Sequence, residues 1–130
     1  PRRSIGRLAL RIYSAISKAT HNGYRFMSFR SIIRFQVKPG MGAAFEAAFA
    51  QCRMLDRPSA IEGFVIAELV RCVAEPLEYH VLGEWATEQA YADWQAVSHE
   101  GADPLAVEAL NATLAHSAPG RLFAPVARST

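Results

Sequence analysis

Residues Tyr79 to Trp94 read YHVLGEWATEQAYADW and hold both tryptophans and two of the four tyrosines of the chain. The first seven residues alternate in the manner of a β-strand. One face of this predicted strand consists of Tyr79, Val81, Gly83 and Trp85, and the other of His80, Leu82 and Glu84.

A helix is predicted directly after this strand. Thr87 is a residue type favoured at helix N-caps, and Ala90, Tyr91 and Trp94 follow it at the spacing of one helical stripe. A strand that ends at Trp85 therefore leads into a helix that carries Tyr91 and Trp94. The pattern allows two interpretations: the three rings line one cleft, or they fill a small core.

Upstream of this junction the sequence predicts a strand, a helix and a second strand. Residues 28–37 alternate, with one face made of Phe29, Ser31, Ile33, Phe35 and Val37. The alanine-rich segment from Ala43 to about Leu55 has helical spacing, and Phe64 to Arg71 forms the next strand. The short connection after Arg71 predicts a hairpin with the strand that begins at Tyr79.

Downstream, Asp103-Pro104 predicts an N-cap followed by proline at the first helical position. The helix is expected to run to about Ala115, so that His116 lies at its C-terminus, where a positive charge is favourable. A last short strand is predicted over 122–126. This order predicts an α+β fold, a ferredoxin-like split βαβ sandwich.

Charge divides the chain into two parts. Residues 1–26 contribute +6 and contain no acid, whereas the remainder carries −4. The first part has the spacing of a basic amphipathic helix, so we expect an N-terminal extension at 1–26 and one domain at 27–130. A nucleic-acid-binding domain is not favoured, because the predicted domain is mildly acidic.

The cysteines and the hydropathy exclude further classes. Cys52 and Cys72 stand alone, without the spacing of a metal or redox motif, and we expect reduced thiols in a cytoplasmic protein. No segment approaches the roughly 18 consecutive apolar residues of a transmembrane helix.

Three segments together resemble the antibiotic biosynthesis monooxygenase family. They are IRFQVKPG at 33–40, Glu62-Gly63-Phe64, and WATEQAYADW at 85–94, which fits the pattern W-x-(S/T)-x-x-A-(Y/F)-x-x-W. The resemblance covers roughly Ser28 to Val126. It implies a homodimer in which two sheets form a shared α/β barrel, and a cytoplasmic location.

In one branch of the family, the resemblance implies a monooxygenase that oxidises a small aromatic or quinol-type compound with molecular oxygen and no cofactor. It implies catalytic roles for Tyr91 and Trp85, with Tyr91 as the hydrogen-bond partner of a substrate oxygen. The implied substrate-binding residues are Trp94, Val81, Ile33, Phe35 and His99. The chain departs from this branch at Val81, where an asparagine is usual, and near Leu110, where an arginine is usual.

Two alternatives remain open at this point. The haem-degrading branch has an asparagine on the first strand, a tryptophan on the middle helix and a later histidine that binds iron. Trp94 matches the tryptophan, Ile33 replaces the asparagine, and His99 is the nearest later histidine. The other alternative is a non-enzymatic dimeric binding module, in which the aromatic residues are only core.

Overall fold

The computed structural model describes residues 28–129, so the predicted extension at 1–26 lies outside the described residues. The elements follow in the order β1 (Phe29–Val37), α1 (Gly42–Gln51), a 3₁₀ helix (Arg57–Ala60), β2 (Phe64–Arg71), β3 (Glu78–Trp85), α2 (Glu88–Val97), α3 (Pro104–Ala112), β4 (Leu114–Ser117) and β5 (Arg121–Phe123). No helix within 28–129 is long and apolar enough to cross a membrane.

The strands form one antiparallel sheet in the order β2-β3-β1-β4, and β5 pairs with β1 beside β4. Strands β1 and β2, which α1 connects, are separated in the sheet by β3. This is the split βαβ arrangement, and the predicted ferredoxin-like α+β fold is confirmed.

The helices cover one face of the sheet. Tyr79, Gly83 and Trp85 of β3 are buried on this face, as the alternation predicts. At one end, the rings of Phe35 and Tyr79 pack against Phe45, at centroid distances of 5.5 and 4.6 Å. These ring contacts join α1 to β1 and β3.

The opposite face of the sheet, which we call the outer face, carries no helix among the described residues. Its apolar side chains are partly exposed: Ile32, Ile66, Val70 and Leu82. Ion pairs lie among them, Arg30 with Glu84 at 3.8 Å and Arg34 with Glu78 at 3.3 Å. Hydrogen bonds from His80 and then Arg34 lower the pKa of Glu78, so this carboxylate is charged at neutral pH.

Both predicted N-caps are confirmed. The hydroxyl of Thr87 accepts a hydrogen bond from the backbone N–H of Ala90 at 3.0 Å. The carboxylate of Asp103 accepts one from the N–H of Leu105 at 3.1 Å. Each cap uses an N–H that has no partner inside its helix.

Two helices end earlier than predicted. α1 ends at Gln51 rather than near Leu55, and Arg53 then adopts a positive φ of 54°, which a helix does not allow. α3 ends at Ala112 rather than near Ala115, and the Thr113 hydroxyl donates to the carbonyl of Leu110 at 2.7 Å.

The residues after α3 join the sheet, which corrects two predictions. His116 lies in β4 opposite Gln36 and not at a helix C-terminus, because pairing with β1 replaces the last helical turn. The last strand, β5, covers Arg121–Phe123 rather than 122–126. Phe123 already pairs with Arg30 near the start of β1, so little of β1 remains to pair with residues beyond it.

Candidate functional site

Trp85 forms the base of a second buried cluster, separate from the one around Phe45. It ends β3, is only 2% exposed, and its indole lies over Gly83 of the same strand. The indole Nε1 donates to the hydroxyl of Ser31 on β1 at 2.9 Å. A side chain at position 83 would meet both atoms, because a Cβ there would lie 2.6 Å from Ser31 Oγ and 2.9 Å from Trp85 Nε1.

Tyr91 packs against Trp85 from α2. The two ring centroids are 5.5 Å apart at an interplanar angle of 59°. Tyr91 is 6% exposed, and burial raises the pKa of its phenol, so the group is neutral and can donate a hydrogen bond at neutral pH. Its hydroxyl makes no hydrogen bond to any residue that the structure describes, although it lies directly against Gly120 and near Ile33.

Trp94 completes the aromatic cluster, by which we mean Trp85, Tyr91 and Trp94. The guanidinium of Arg57 lies over its ring at 5.2 Å from the centroid. The same guanidinium donates to the carbonyl oxygens of Cys52 at 3.2 Å, Glu100 at 2.9 Å and Ser98. Arg57 therefore ties the chain after α1 to the end of α2 and covers one side of Trp94.

The remaining predicted site residues are divided among three places. Ile33 packs on the core cluster and also lies beside Gly120 under the aromatic cluster, since a Cβ at position 120 would be 2.9 Å from Ile33 Cγ1. Phe35 and Val81 belong to the core cluster around Phe45. His99 is exposed in the turn after α2. Of these four residues, Ile33 alone adjoins Tyr91 in the described contacts.

Four residues at the site were not predicted: Ser31, Arg57, Gly83 and Gly120. The alternation predicts that Ser31 and Gly83 lie on the same face of the sheet as Trp85. Only the register that pairs Ser31 with Gly83 shows that the Trp85 indole can lie over Gly83 and reach Ser31. No local pattern marks Arg57 or Gly120, because both act on residues distant in the sequence.

The histidines do not suit a haem site. Within 28–129 they are His80 on the outer face, His99 in the exposed turn and His116 in the exposed part of β4, so none of them lies in the aromatic cluster. The described residues also contain no group of three His, Cys, Asp or Glu side chains that could hold a metal ion. Because haem iron needs an axial ligand beside the site, the placement of the three described histidines does not fit the haem alternative.

The cluster has the composition of a site for a flat apolar molecule. It consists of aromatic rings, and Phe64 meets Trp85 edge-on at 5.2 Å. Few polar atoms interrupt them. The Nε1 of Trp85 is already bonded to Ser31, which leaves the Tyr91 hydroxyl as the donor without a partner among the described residues. An aromatic compound that carries an oxygen matches this combination.

Comparison with known proteins agrees with the fold. The family model described as antibiotic biosynthesis monooxygenase matches residues 28–101. SnoaB, a cofactor-independent oxygenase from Streptomyces nogalater, is a structural relative with 28% sequence identity and a TM-score of 0.57, over 80% of this chain and 96% of that protein. No curated protein matches this sequence.

Two more distant structures share the fold. A conserved protein from Methanosarcina mazei Go1 has 16% identity and a TM-score of 0.62, over 78% of this chain and 96% of its own. A dimeric ferredoxin-like protein from an uncultured marine organism has 12% identity and a TM-score of 0.62, over 80% of this chain and 92% of its own.

Proposed function

Because this chain belongs to the antibiotic biosynthesis monooxygenase family, we propose that it is a cofactor-independent monooxygenase that oxidises a small aromatic or quinol-type compound. The structural similarity to SnoaB, which is a cofactor-independent oxygenase, supports the part of the proposal that concerns the cofactor. The observation that carries it is the Tyr91 hydroxyl, which is buried beside Trp85 and has no partner among the described residues.

A buried hydroxyl without a hydrogen bond is costly, so native proteins rarely leave one without a use. In the proposed reaction Tyr91 donates a hydrogen bond to a phenolic or enolic oxygen of the substrate. This bond strengthens as negative charge develops on that oxygen, and the apolar surroundings make it stronger than it would be in water.

The reaction itself takes place between substrate and oxygen. The ionised substrate is electron-rich at carbon and passes an electron to O₂, after which one oxygen atom becomes bonded to that carbon. For a substrate of the anthrone type, a CH₂ group becomes C=O, and the second oxygen atom leaves as water with the two hydrogens. The proposed role of the protein is to bind, orient and desolvate the ring.

The proposal is tested by oxygen consumption with 1,8-dihydroxyanthrone and with a simple quinol. Tyr91→Phe should lower kcat/KM about tenfold to a hundredfold, the effect of losing one hydrogen bond to a charged oxygen. Tyr79→Phe is the matched control, because that buried hydroxyl donates to Glu46 at 2.6 Å in the other cluster. Unchanged turnover in Tyr91→Phe would exclude the assigned role.

We also propose that the protein is a homodimer that pairs through its outer faces. Partly exposed apolar side chains such as Ile66, 59% exposed, lie there between ion pairs, and burial against a second copy would remove them from water. The dimeric state of the marine ferredoxin-like protein supports this arrangement.

A further inference from the structure

The edge of the sheet is interrupted directly beside the site. β4 pairs with β1 as far as Ser117 opposite Phe35, and β5 resumes with Arg121 opposite Ile32. Three residues, 118–120, thus face two residues of β1. This is the arrangement of a β-bulge, in which the ladder opens locally.

Few backbone hydrogen bonds hold this segment. The N–H of Ala118 donates to the carbonyl of Arg34 at the long distance of 3.4 Å, and Pro119 has no N–H to donate. Ala118 and Pro119 are exposed, and Gly120 is partly exposed. We call residues 118–120 the edge break.

The hydroxyl of Tyr91 lies beneath the edge break. It occupies the space into which a side chain at position 120 would project, because a Cβ built on Gly120 would overlap the hydroxyl and lie 2.9 Å from Ile33 Cγ1. The backbone conformation at position 120 does not require glycine, because the φ angle of Gly120 is not positive. Glycine at this position therefore allows the backbone to lie in close contact with the Tyr91 hydroxyl and is not required by a special conformation.

These two features coincide at one point. A buried donor without a partner lies where the ladder is open and where the covering residue has no side chain. Bulges occur frequently beside active sites, because they end strand pairing at a chosen position.

We infer that Gly120 is a specificity-determining residue, and that the edge break is the entrance through which molecular oxygen and the oxygen-bearing edge of a flat substrate reach Tyr91. The inference rests on the proposed function, because it assigns the approach to the same hydroxyl. A side chain at position 120 would come between the edge break and the Tyr91 hydroxyl and so obstruct this entrance, without removing any polar group of the site.

The test measures access without any organic substrate. The protein is labelled with 3-fluorotyrosine, the fluorine signals of Tyr91 and Tyr79 are assigned by Tyr→Phe variants, and relaxation is compared under nitrogen and under dissolved molecular oxygen, which is paramagnetic. Oxygen should enhance the relaxation of Tyr91 severalfold more than that of Tyr79. Gly120→Ala should reduce the enhancement at Tyr91 severalfold and leave Tyr79 unchanged.

A second variant keeps the test valid if Gly120→Ala does not fold. Ala118→Trp changes an exposed residue of the edge break and adds a large side chain to it, so it should also reduce the enhancement at Tyr91. Equal enhancement at the two tyrosines in the unmodified protein, or unchanged access in both variants, would overturn the inference. Intact access without oxidation of 1,8-dihydroxyanthrone or the quinol would count against the proposed function alone.

Discussion

Gly83 shows how one missing side chain positions the aromatic cluster. The indole of Trp85 crosses above it to reach Ser31, and the hydrogen bond between them joins β3 to β1 in the interior of the protein. The alternating pattern of β3 predicts that Trp85 points inward. It does not predict the partner of the indole, because that partner depends on the register between two strands distant in the sequence.

Gly83→Ala should destabilise the protein by about 1–3 kcal/mol, since the new methyl group must displace the indole or the serine and break their hydrogen bond. Urea denaturation measures this loss. The matched background is Ser31→Ala, which removes the oxygen that the methyl group would meet 2.6 Å away. Gly83→Ala should lower the free energy of unfolding by less in the Ser31→Ala background than in the unmodified protein. Equal losses in both backgrounds would contradict the contact between position 83 and Ser31.

At the scale of the element, the starts of α2 and α3 were predictable, whereas the ends of α1 and α3 were not. Thr87 and Asp103 cap their helices with their own side chains, so a few adjacent residues decide each start. α3 ends because the next residues pair with β1, a strand that is distant in the sequence. The residues that follow α2 accept hydrogen bonds from the guanidinium of Arg57, and this contact, unlike the end of the helix itself, was not predictable from the local sequence.

Arg57→Met should destabilise the protein by about 1–3 kcal/mol, because the carbonyls of Cys52 and Glu100 lose a charged donor and Trp94 loses the cation over its ring. Arg57→Lys should retain only part of the stability that Arg57→Met loses, since lysine keeps the charge but lacks the planar guanidinium group with its several donors. Chemical denaturation provides the measurement.

The control for that prediction is Arg53→Met. The ion pair of Arg53 with Asp56 is well exposed, at 65% and 69%, and such pairs contribute little. A loss in Arg53→Met as large as that in Arg57→Met, or full recovery by Arg57→Lys, would show that the assigned contacts do not hold the end of α2.

At the scale of the whole molecule, the order of strands and helices was sufficient to predict the fold. The antiparallel split βαβ arrangement follows from alternating strands, amphipathic helices and short connections, which are all visible in the sequence. The grouping of the candidate site residues was predicted less completely. Trp85, Tyr91 and Trp94 do meet, whereas Phe35 and Val81 lie in the other cluster, because alternation specifies a face of the sheet and not a position along it.

Ile66→Glu should convert the proposed dimer to monomers, because it places a charge in the apolar part of the outer face. Sedimentation equilibrium should give twice the chain mass for the unmodified protein and one chain mass for the variant. Leu105→Glu is the matched control, since Leu105 is 74% exposed on α3, which belongs to the helical layer. A monomeric unmodified protein, or a dimeric Ile66→Glu variant, would refute the outer-face dimer.

The aromatic cluster also gives the protein an internal optical reporter. Both tryptophans of the chain belong to it, so the intrinsic indole emission of the protein originates there. The two emitters differ in their surroundings: Trp85 donates to Ser31, whereas a guanidinium lies over Trp94. Trp85 is the emitter whose ring lies 5.5 Å from that of Tyr91, so quenching of its fluorescence would report binding beside Tyr91 without an attached label.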